Sequence, residues 1–147
     1  RRLETWFGSQ AHCDWGELRR ETLALLQRGQ ELRDIAGLVG PEALQGTDRL
    51  LLETARMIQE FVLGQSAYDP NDAHSPVAKT ARLAGLALQL QRHAQALLAS
   101  GVAFEQLDLG PVRRALALVR SAPVAAVEAR AAEAAFCIAG LSRAAAT

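Results

Sequence analysis

The side chains with chemistry to offer are few, and most of them gather in one short stretch. Asp69, Asp72 and His74 fall close together, with Tyr68 beside them, in GQSAYDPNDAHS over residues 64–75. Two carboxylates and an imidazole at such spacing would suit a divalent cation, but no fourth donor stands nearby. Asp69-Pro70-Asn71-Asp72 is also the composition of a tight turn held by side-chain to backbone bonds, and that reading is preferred. No metal ligand is assigned. Phosphate transfer needs a glycine-rich loop ending in Gly-Lys-Ser or Gly-Lys-Thr, because backbone amides cradle the phosphates while the lysine neutralises them. The single lysine, Lys79, stands in Val-Ala-Lys-Thr with no such glycines upstream, so this chain alone is expected not to hydrolyse ATP. His12 and His93 have no acidic or thiol partner placed for acid-base or nucleophilic work, apart from Cys13 beside His12, and no serine has a nucleophile-elbow context. No catalytic residue is assigned.

Composition narrows the field further. Half of the 147 residues are apolar, enough for one domain with a sizeable core. Formal charge is zero, with fifteen arginines and one lysine spread along the chain, which gives no electrostatic case for nucleic acid or an anionic membrane. No apolar run approaches the roughly 20 residues that cross a bilayer. Cys13 and Cys137 fit no metal or redox spacing and suggest unpaired thiols in a reducing compartment. The sequence opens on Arg1 and not on methionine, which suggests a piece of a longer protein.

The elements that must position residues 64–75 are helices. Leu51, Ala55, Ile58 and Val62 recur at spacings of four, three and four, with Leu50, Thr54, Met57 and Phe61 beside them, so a broad apolar stripe is expected. Arg49, Glu53, Arg56 and Glu60 occupy the opposite, solvated face. Thr47 is the expected N-cap and Gly64 the stop, for a length near 24 Å at about 1.5 Å per residue. Beyond the loop, Ser75 caps and Pro76 opens a helix to Ser100, on which Leu83, Leu86, Leu90, Ala94 and Leu97 keep helical spacing and which Gly101 closes. The two form an antiparallel αα-hairpin that must bury its stripes against other helices.

Upstream, residues 1–13 form an irregular lead-in, and Asp14 with Glu17 starts a helix whose stripe runs through Leu18, Leu25, Leu32, Ala36 and Val39, with a possible kink at Gly29. Gly40 and Pro41 end it. Downstream come a short turn over 102–109 with Phe104 and Leu107 facing inward, a helix from Pro111 to about Ser121, and an alanine-rich helix from Pro123 to about Ile138. No strand pattern or internal repeat is present. The expected fold is all-α, a helical bundle built around the αα-hairpin, with residues 14–147 as one domain.

Three stretches also carry a family resemblance. Leu38, Val39, Gly40, Pro41, Ala43 and Leu44 match an LVGPDAL-like turn; Asp48 to Leu50, Glu53 and Ala55 to Ile58 match a DRL...E.ARMI.E helix; Leu63, Gln65, Ala67, Asp69, Pro70, Asp72 and Ala73 match an LQQNAFDP.DAYC-like loop. Together they resemble the C-terminal helical region of the catalytic A subunit of V/A-type rotary ATPases, loosely from about Trp6 to about Val112. The resemblance implies that Tyr68 stacks on adenine, with Gln65, Ser66 and Ala67 on the same edge, in a pocket completed by the nucleotide-binding domain. The alternative is that Tyr68 plugs the loop onto the hairpin. Gly64, Ser66 and His74-Ser75 replace the usual glutamine, asparagine and Tyr-Cys.

The resemblance further implies ATP or ADP as a ligand of the intact subunit only. It implies as partners the subunit's own nucleotide-binding domain, the neighbouring B subunits and the central rotor stalk, and a cytoplasmic place in a membrane-associated complex coupled to proton transport. A free-standing helical interaction module derived from such a subunit is the other reading.

Overall fold

Leu18, Leu25 and Leu32 repeat every seven residues and all three are buried, which fixes the inward face of α1 (Trp15–Val39). The computed structural model describes residues 15–63 and 76–146, so the lead-in, the Asp14 cap and the Ser75 cap lie outside the described residues. α1 runs unbroken through Gly29, where a kink is possible on propensity alone. The glycine serves a close approach instead: a Cβ at Gly29 would lie 2.5 Å from the Cβ of Ala55. α1 lies across the hairpin there, and Arg33 reaches Gln59 at 2.8 Å while Glu21 accepts from Arg92 at 2.8 Å.

Gly40, at φ 92°, turns the chain out of α1 into a single 3₁₀ turn over Pro41–Ala43. The second helix, α2 (Gly46–Met57), starts earlier than expected, with Gln45 and not Thr47 at the N-cap and the Arg49 N–H donating to the Gln45 carbonyl at 2.9 Å. Gly46 permits this start, because even a Cβ there would touch Phe104 at 3.5 Å. The expected stripe is present: Leu50, Thr54, Ala55, Met57, Ile58, Phe61 and Val62 are all buried. At roughly 1.5–3 kcal/mol for each fully buried large aliphatic side chain, this face decides how the helix packs. Residues Ile58–Leu63 continue α2 as a π turn, with hydrogen bonds reaching five residues back, a departure from the α-helix expected to Leu63.

α3 (Pro76–Ala99) is the central rod. From Ala81 to Leu88 every residue except Arg82 is buried, and the helix packs against α1, α2 and both helices that follow. Leu98 near its end lies beside Gly46 at the start of α2, so the two rods are antiparallel as expected. Gly101, at φ 113°, closes α3, and a 3₁₀ turn over Phe104–Gln106 follows with Leu107 buried and Phe104 half-buried.

α4 (Gly110–Ser121) and α5 (Val127–Ala146) pair with each other and pack on α3. α5 runs to Ala146, past the expected end near Ile138, because alanine favours helix and nothing there interrupts it. Val112, Leu116, Val119, Ala134 and Ile138 are buried between the two and α3. Among the described residues there is no strand, and the architecture is an all-α bundle.

Candidate functional site

Residues 64–75 join the π turn to the first turn of α3, so the site the sequence points to hangs from that end of the hairpin. Gln65, Ser66, Ala67 and Tyr68, with Asp69, Asp72 and His74, lie outside the described residues. What the structure describes is how their two anchors are held. On the α3 side, Lys79 is only 3% exposed, and its Nζ donates to the carbonyls of Arg120 at 2.9 Å and Ala122 at 2.7 Å. These acceptors close α4, whose last carbonyls have no partner within their own helix and carry the negative end of the helix dipole. A buried ammonium needs such acceptors, and here they are supplied by a neighbouring helix. One turn on, Arg82 pairs with Glu128 of α5.

On the other side, Arg113 at the start of α4 forks across the end of α2. Its Nη1 donates to Glu60 at 2.6 Å and its Nη2 to Glu53 at 3.3 Å, with the guanidinium 6.0 Å from the Phe61 ring centroid. The outer charges of α2 are therefore more than a solvated face. Of the expected pairs along the helix, Arg56 to Glu53 at 3.4 Å is present, while Glu60 pairs with α4 and Arg49 pairs with Glu105 at 2.5 Å.

The opposite end of the hairpin is built differently. α1 outruns the core, leaving Ile35, Leu38 and Val39 exposed, Leu38 by 86% and Val39 by 61%. Val39 thus falls outside the buried stripe expected of it. Next to this apolar turn, an open groove of about 420 Å³ lies between the start of α2 and the end of α3. Arg49 crosses it, 4.7 Å from the Phe104 ring centroid. The Glu105 carboxyl is held below the ordinary carboxylate range, first by its own backbone N–H and then by Arg49.

Among the described residues no three His, Cys, Asp or Glu side chains converge on a point where a cation would sit. Lys79, spent on two carbonyls, offers nothing to a phosphate. Its burial was readable in the sequence, since Lys79, Leu83, Leu86 and Leu90 share one helical face. His93, expected at the surface, is half-buried, with Nε2 enclosed and without a hydrogen-bond partner, and Cys137 is a free, half-buried thiol.

Comparison with known proteins decides among the readings of this hairpin. Residues 4–106 match the family model described as the C-terminal domain of V and A type ATP synthase. The chain belongs to that family. It is 44% identical over 120 residues to the V-type ATP synthase alpha chain of Anaeromyxobacter sp. (strain K), covering 81% of this chain and 21% of that protein. It is 40% identical over 118 residues to the A-type ATP synthase protein of Methanothrix thermoacetophila that bears the same catalytic-chain name, covering 80% and 20%. The V-type ATP synthase alpha chain of Thermoanaerobacter pseudethanolicus is 39% identical over 115 residues, covering 78% and 20%. The chain thus spans about a fifth of the length of these relatives. The family match takes in α1, α2, the π turn, residues 64–75 and α3, and it ends before α4. No helix among the described residues is long and apolar enough to cross a membrane.

Proposed function

We propose that this domain is the lever of a V/A-type ATP synthase catalytic subunit, with residues 64–75 bordering the nucleotide and the turn after α1 facing the central rotor stalk. The antiparallel packing of α2 and α3 carries this reading. Two rods buried along their length move as one body, and their two ends differ in the way a transmission requires. One end is tied down by ion pairs and a buried lysine around the anchors of residues 64–75. The other presents Leu38 and Val39 to solvent, an apolar surface that a partner would cover. In the proposed subunit Tyr68 stacks on adenine, Gln65, Ser66 and Ala67 line the same edge, and the phosphate-binding residues belong to a separate nucleotide-binding domain. ATP hydrolysis or synthesis, proton transport, contact with B subunits and a cytoplasmic location belong to that assembly.

Replacing Tyr68 with alanine in the catalytic subunit that carries this sequence tests the nucleotide end. Base stacking on an aromatic ring is worth about 1–3 kcal/mol, so ATP or ADP affinity is expected to fall by about tenfold or more with helix content unchanged. Unaltered affinity removes Tyr68 from the pocket and leaves it as a plug on the hairpin. The exposed apolar turn suits a free-standing interaction module equally well, and such a module would bind its partner without any dependence on nucleotide.

A further inference from the structure

The π turn over Ile58–Leu63 has no explanation in the apolar pattern. Leu50, Thr54, Met57, Ile58, Phe61 and Val62 keep the period of an α-helix, so α geometry would bury the same side chains. π turns are rare and cost contacts along the helix axis, so something outside the core must favour this one. The polar contacts supply it. Glu53 and Glu60 are seven residues apart, roughly 10 Å along an α-helix at about 1.5 Å per residue, yet one guanidinium holds both, at 3.3 Å and 2.6 Å. A π turn is wider and rises less per residue, which draws Glu60 back toward Glu53 and brings Phe61 under the same guanidinium. Arg113 lies beyond the stretch matched by the family model, on a helix that also receives the Lys79 ammonium at its other end.

We propose that residues 58–63 form a two-state register element, and that Arg113 is the latch that holds it in the π form. With the fork in place the chain enters residue 64 from a wide turn. With the fork broken the segment relaxes to α geometry, which lengthens the rod and rotates the chain as it enters residue 64. The C-terminal helical pair thereby sets the direction in which α2 delivers residues 64–75. This inference rests on residues 53–63 and 113 alone and holds whatever residues 64–75 border.

Amide hydrogen exchange on the 147-residue chain tests it. Arg113→Ala is expected to change exchange at residues 58–63 by about tenfold while residues 46–55 of α2 and the core of α3 exchange as before. Arg113→Lys is expected to behave like the alanine variant, because an ammonium keeps the charge but lacks the fork that spans two carboxylates. Glu60→Gln reaches the same segment from the partner side and is expected to give the same local change with the fold intact. Deleting the exposed Gln59 should leave residues 58–63 in α geometry, after which Arg113→Ala has no local effect. Exchange unchanged at 58–63 in both Arg113→Ala and Glu60→Gln, or a uniform rise along α2 and α3, would overturn the latch.

Discussion

The crossing of α1 over α2 turns on a single missing methyl, and exchanging that methyl between the helices is the sharpest test of the packing. Alanine is the better helix former by about 1 kcal/mol, so by propensity Gly29→Ala should stabilise α1. The structure reverses that sign. A Cβ at residue 29 would stand 2.5 Å from the Cβ of Ala55, which is 1% exposed, and Leu51 lies on the same side at 3.9 Å. Two methyl carbons need about 3.5–4.0 Å, so the helices must separate by about 1 Å or more. Overpacking of this kind costs about 1–3 kcal/mol, so Gly29→Ala is expected to be destabilising by up to about 2 kcal/mol net of the propensity gain. Ala55→Gly alone loses the alanine propensity and one buried methyl, together about 1.5–2 kcal/mol. The double variant moves the methyl from one helix to the other and refills the same space. Its stability, from urea or thermal unfolding, should exceed the sum of the singles, with a coupling energy of about 1–3 kcal/mol. A stabilised Gly29→Ala, or additive singles, would refute the crossing.

Lys79→Met removes the ammonium and leaves the Arg120 and Ala122 carbonyls without that donor. At about 1–3 kcal/mol for each lost partner, partly offset by the desolvation cost the lysine no longer incurs, a net loss of about 2 kcal/mol is expected. The Tm should drop by several degrees, and an unchanged Tm would contradict the capping role. In the native chain the same burial should keep Lys79 unmodified by an amine-reactive reagent under conditions that label it in urea. The Arg49–Glu105 pair gives a pH signature. Because the folded-state pKa of Glu105 is lowered, its contribution is fully present above the unfolded glutamate value of about 4.3 and is lost as pH falls through the lower folded value. Tm curves of the native chain and Glu105→Gln should therefore run parallel from about pH 7 to 5 and converge only under more acidic conditions. Convergence already within that neutral range would rule out the lowered carboxyl.

The periodic apolar residues made α1, α2 and α3 legible in the sequence, because burial of one face recurs every three or four residues whatever the partner. Leu50, Ala55, Ile58, Leu83, Leu86 and Leu90 all lie where that spacing puts them. The two positive-φ glycines, Gly40 and Gly101, marked helix ends for the same local reason. Features that depend on a second element could not be read this way. Gly29 looked like a weakness because its neighbour Ala55 comes from another helix. Glu53 and Glu60 looked like a solvated face because Arg113 lies some fifty residues away, and the π turn leaves the apolar period intact. Val39 fits the α1 stripe by spacing, but the core ends before it. The family resemblance was legible because its motifs are local runs of chain. Tyr68 and its neighbours take their proposed role from that resemblance, and the structure contributes the anchors that hold them.

Transmission between the two ends of the hairpin is most directly tested at the exposed turn, in the assembled ATP synthase whose catalytic subunit carries this sequence. Leu38→Asp combined with Val39→Asp leaves the core untouched and places two charges where the rotor stalk is proposed to bear. ATP-driven proton pumping is expected to fall about tenfold or more while ATP hydrolysis falls much less, as the lever swings without engaging the stalk. Pumping and hydrolysis that remain coupled at native levels would contradict the lever.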